Sequence, residues 1–130
     1  MAYELQYFLL QPVPPHAQVM RDLLAALNAQ GWRADLANLS SSESWTAGDL
    51  EVGGQASGIL IEVHSVDLST EYSWQAALKR HDRPAGATPY GLGVVTLSGD
   101  VDDALVADAR QHFVVALGAA EYDHVHGFTK

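Results

Sequence analysis

Between Tyr3 and Gln30 the hydrophobic period changes once, and three prolines mark where. Tyr3, Leu5, Tyr7 and Leu9 alternate with Glu4 and Gln6, a period of two that predicts a strand over 3–10. Its end, Phe8-Leu9-Leu10, is apolar on both faces, as suits a central strand or one covered on both sides. Pro12, Pro14 and Pro15 stop it. Beyond them Met20, Leu23, Leu24 and Leu27 fall at helical spacing, which predicts a helix over 16–30 with Pro15 at its start and Gly31 past its end. Trp32, Ala34 and Leu36 then alternate against Arg33 and Asp35. A strand, a helix and a second strand commit the chain to layers of helix on sheet.

The rest extends that pattern. Residues 38–58 are rich in serine and glycine and read as a long loop, broken by a short strand near Asp49 to Val52. Ile59, Ile61 and Val63 alternate with Glu62 and His64, a strand that can form a hairpin with it. Trp74, Ala77, Leu78 and His81 have helical spacing over 69–81, although Thr, Tyr and Trp also favour a strand there. A Pro/Gly loop reaches Tyr90, and Leu92, Val94 and Thr96 alternate as a strand. Asp100 is a candidate cap for a last helix whose stripe is Leu105, Ala109, Phe113, Ala116 and Leu117, ended by Gly118. Residues 122–128 are a candidate final strand. The expected fold is α+β: a single-domain two-layer α/β sandwich over 1–130. Its sheet is mixed or mostly antiparallel, with two or three helices on one face, and a ferredoxin-like arrangement fits.

Charge narrows the partners. Lys+Arg 7 against Asp+Glu 16 gives a formal charge of -9, spread over both halves of the chain. Such a field opposes nucleic acid and anionic membranes and favours encounter with a basic protein. There is no cysteine, so disulfides and thiolate chemistry are excluded. No apolar run is long enough to span a bilayer, and the opening Met1-Ala2-Tyr3-Glu4 lacks a signal-peptide pattern. The cytoplasm, in the style of an acidic bacterial protein, is the expected compartment.

Motifs for chemistry are weak. Gly54-Gln55-Ala56-Ser57-Gly58 has the wrong spacing for a nucleophile elbow. Gly91-Leu92-Gly93 begins a dinucleotide fingerprint, but Thr96 stands where the third glycine belongs. His81-Asp82 lies in a short basic cluster and reads as a loop dipeptide at a helix end. His124 and His126 would share one face of a strand, and with His64 they make the candidate zinc or nickel site. Glu62 beside His64 is the candidate acid–base pair, set against an ordinary polar face. Loop aromatics supply the remaining signal. Trp45, flanked by Glu43, Asp49 and Glu51, and Tyr90 are candidate partner-binding residues, aromatic anchors with an acidic rim.

The leading expectation is therefore a non-catalytic interaction protein without a cofactor, an antidote- or immunity-like inhibitor of a basic partner. One alternative is a small metal-dependent enzyme or metal-binding protein using the C-terminal histidines. The other is a homodimeric assembly subunit paired through an open sheet edge.

Overall fold

The computed structural model describes residues 2–65, 68–81, 88–123 and 127–128. Among the described residues seven strands form one sheet: β1 (Ala2–Leu9), β2 (Ala34–Ser41), β3 (Trp45–Val52), β4 (Gln55–Ser65), β5 (Gly91–Ser98), β6 (Ala120–Asp123) and β7 (Gly127–Phe128). The order is β2-β3-β4-β5-β1-β6-β7, and every neighbouring pair is antiparallel. Three helices, α1 (His16–Ala29), α2 (Leu68–Arg80) and α3 (Asp103–Gln111), pack on it, giving the expected α+β sandwich. The strand order itself does not establish a ferredoxin-like arrangement. After β1 the chain crosses β5, β4 and β3 before entering the sheet again at edge strand β2.

β1 is central, as its doubly apolar end requires. Tyr7 and Leu9 face one side and join Val19, Met20, Leu23 and Leu27 of α1 with Leu105, Ala109 and Phe113. Phe8 faces the other side and joins Trp74, Ala77 and Leu78 of α2. Two helices thus share one face, and α2 lies on the opposite one. α1 rests on β2, β3 and β4, and the end of α3 rests on β1. Burial decided the ambiguous 69–81 segment: Trp74, Ala77 and Leu78 form one helical stripe, and Phe8 and Trp74 meet at 4.9 Å.

Two local readings are corrected. Residues 38–58 are not a long loop with one short strand. They belong to a three-stranded meander, β2-β3-β4, joined by short turns. Gly53 and Gly54, with φ of 60° and 80°, make the two-residue turn that only glycine-like backbone accommodates easily. The serines are tolerated because the far half of β2 is an exposed edge. In the last helix, the cap is Asp102, whose side chain accepts from the Ala104 N–H, rather than Asp100. Residues His112–Ala116 then form one π turn, closed by the Leu117 N–H donating to the His112 carbonyl. The extra residue rotates Ala116 out of the predicted stripe to the surface, while Phe113 stays buried.

Candidate functional site

Strand alternation assigns each predicted residue to a face. Trp45, Ala47 and Asp49 of β3 pair with His64, Glu62 and Leu60 of β4, and Leu60 continues to Thr96 of β5. Glu51 follows Asp49 by one period. The intervening Leu50, Ile59, Ile61 and Val63 belong to the core under α1, so this set points the opposite way. It occupies the same sheet face as α2, on strands that α2 does not cover. Trp45 is correspondingly a half-buried strand residue rather than a loop anchor or a lid on the core.

The far end of this open face is hollowed. The β3–β4 register slips between Leu50 and Glu51, and Gly58 lies at φ 79° within the irregularity. A cavity of about 410 Å³ results, with Asn38, Asp49, Glu51, Leu60, Thr96 and Ser98 in its wall. Asn38 adopts φ 53°, and its side-chain amide donates to Asp49 Oδ2 at 2.8 Å. That bond fixes the Asp49 carboxylate, a role the sequence does not advertise. Neither lysine nor arginine occurs in β2, β3, β4 or β5, and Arg33 stands just before β2.

Glu43 and Tyr90 lie at the other end. Tyr90 is exposed, and its N–H donates to the Leu9 carbonyl, which places it beside the start of β5. Glu43 sits in the exposed β2–β3 turn. His16 holds that turn: Nε2 donates to the Glu43 carbonyl at 3.1 Å, and Nδ1 is 2.6 Å from the Thr46 hydroxyl. A carbonyl can only accept, so in the neutral ring Nδ1 is left to accept from Thr46. Sequence reading missed His16, because its contacts are brought together only by the crossover of α1. The structure therefore gathers Trp45, Asp49 and Glu51 on one face with Glu62 and His64, and sets Glu43 and Tyr90 beside the start of α1, near Pro14, Pro15 and His16.

The histidine site fares differently. His124 and His126 lie outside the described residues, so no geometry joins them to His64. His64 Nε2 stands 3.5 Å from Glu62 Oε1, and both side chains are about 30% exposed (28% and 30%). The pair is thus half-exposed on the strand face, and no described helix buries it. Among the described residues, no group of three His, Asp or Glu side chains is placed to hold a metal. Also among them, no helix is long and apolar enough to cross a membrane. One edge of the sheet is β2, whose pairing with β3 shifts register between Ala37 and Ser40 around Asn38.

A further acid–base cluster lies on the other face of the sheet, under α3. Tyr7 donates to Glu121 Oε2 at 2.7 Å, and Arg110 Nε reaches the same oxygen at 2.7 Å. Burial, then the bond to Glu121 and its charge, push the Tyr7 phenol far above its ordinary value, with Arg110 opposing. The same carboxylate raises Arg110. Tyr7 is stacked on Phe113 at 4.8 Å, and Arg110 is exposed, so the cluster joins β1, α3 and β6 from the core to the surface. A scan of protein-family models, a search of curated proteins and a search of solved structures each returned no match to this chain.

Proposed function

We propose that this chain is a non-catalytic binding protein whose docking surface is the open half-face of the sheet, and that its partner is a basic protein. One observation carries the reading: a folded sheet face that no described element covers over β3 and β4, with Asp49, Glu51 and Glu62 around Trp45, Ala47 and Leu60. The aromatic and aliphatic side chains supply burial, and the carboxylates supply steering and selection against acidic surfaces. An antidote- or immunity-like inhibitor is the form of this role that best suits a net charge of -9, since such a protein must find a cationic site quickly.

The test is capture from a lysate at low and moderate salt, with D49N/E51Q/E62Q and Trp45→Ala as paired baits. The reading expects a basic protein held by the wild type and released by both variants at unchanged bait stability. Recovery of no basic protein, or equal recovery by the triple variant, would reject it.

A further inference from the structure

Apart from the two-residue β7 at one edge, the sheet is two groups of three strands, β2-β3-β4 and β5-β1-β6, each with two faces, which makes four places for a helix. α1 fills one over β2, β3 and β4. The end of α3, with Phe113 against Gly93 and Tyr7, fills a second over β5 and β1. α2 fills the third, through Trp74, Ala77 and Leu78 on Phe8, Leu92, Val94 and Tyr122. The fourth, opposite α1, holds no described element. From this we infer that the fourth place receives an amphipathic, lysine- or arginine-rich helix of the partner, seated beside α2. This deepens the proposed function and rests on it.

Size, surface and charge agree on that occupant. Strands about 4.8 Å apart make a three-strand bed roughly 10 Å wide, close to the diameter of a helix. The bed is neither bare hydrocarbon nor uniformly polar. Trp45, Ala47 and Leu60 run through it as an apolar stripe, and Asp49, Glu51 and Glu62 flank them. An amphipathic helix with leucine-like residues on one stripe and cations beside it matches that order. A second copy of this chain does not, because its three helices are already seated and its equivalent face would set the same carboxylates against these. An extended strand does not match either, because it needs a free edge rather than a face, and the β2 edge is broken at Asn38.

The experiment uses the whole chain, ¹⁵N-labelled, and two synthetic leucine/lysine peptides of 14 residues, the length of α1. They share one composition. In one the leucines fall at helical spacing, and in the other they alternate as in a strand. The helical peptide is expected to bind at least about tenfold more tightly, a difference affinity measurements resolve readily. It should shift the amides of Ala47, Asp49, Leu60 and Glu62. D49N/E62Q should weaken it severalfold, and D22N/D108N, on the helices of the opposite face, should not.

Equal affinity for the two peptides, or shifts confined to the β2 edge, would overturn the helix and leave the basic-partner reading standing. Equal weakening by the two double variants would reduce the binding to general charge attraction and overturn both. Binding of neither peptide would do the same, leaving an ordinary solvated face.

Discussion

The two halves of one sheet face are built from the same alternation and end differently. Over β5, β1 and β6 the outward residues are Leu92, Val94, Phe8 and Tyr122, and α2 covers them. Over β3 and β4 they are Trp45, Ala47, Asp49, Glu51, Leu60, Glu62 and His64, with four titratable side chains among the seven, and no described helix covers them. One sheet runs through both, and the register slips fall in the β2–β3 and β3–β4 pairs. What differs is the free energy available from a cover. Burying an aromatic or branched side chain contributes about 1.5 to 3 kcal/mol, whereas burying an unpaired carboxylate costs more than that. The described helix α2 lies where burial returns free energy, and the acidic half is left without one among the described residues.

That comparison breaks most visibly under truncation. Phe8→Ala, in the covered half, should lose about 3 to 5 kcal/mol in a urea titration, since Phe8 has no exposed surface and meets Trp74 and Tyr122. A loss no larger than that of a surface residue would mean α2 is not docked. On the opposite face the packing is tight enough to punish an added methyl. A Cβ on Gly93 would lie 2.5 Å from Phe113 Cε1, so Gly93→Ala should cost about 1 to 3 kcal/mol. Tyr7→Phe keeps the ring stack but removes one donor from buried Glu121, and about 1 to 2 kcal/mol is expected. The same denaturant series measures all three.

The open half should respond weakly to the equivalent change. Trp45→Ala removes a large side chain that is only half-buried, so less than about 1.5 kcal/mol is expected, with binding lost instead. A loss as large as that of Phe8→Ala would show that Trp45 belongs to the core and would remove it from the docking surface.

How far these features can be read in advance depends on whether one element suffices to specify them. β1 and α1 are legible because Tyr3–Leu9 and Met20–Leu27 each state their own period. The central place of β1 is legible too, from Phe8 and Leu9 being apolar on successive faces. The meander is harder. Ser40, Ser41 and Gly48 look like loop residues until β3 is seen to lie between β2 and β4, and pairing is a long-range property. Asp49 and Glu51 are visible as acids beside a tryptophan. That Glu62 joins them follows from register, which no single segment contains. Asn38 and His16 act through partners 11 and 30 residues away, so nothing local marks them.

The smallest effect concerns protons, and it separates covered from open surface in another way. His112 begins the π turn against α1, and its Nε2 is buried without a hydrogen-bond partner among the described residues. Burial holds this imidazole below the ordinary value of 6.5, with Asp22 opposing. The folded chain therefore keeps His112 neutral at a pH where the unfolded chain has begun to bind the proton. Stability is accordingly retained above about 6.5 and declines as pH falls from there toward the lowered folded value. His112→Gln cannot take up that proton. Urea midpoints measured from about pH 7.5 down to pH 5.5 should fall less steeply for the variant than for the wild type. Parallel slopes, differing only by a constant offset from repacking, would mean that the π turn exposes His112 to water. The α1–α3 side would then be open at that point, and the contrast between a sealed core face and one open docking face would need redrawing.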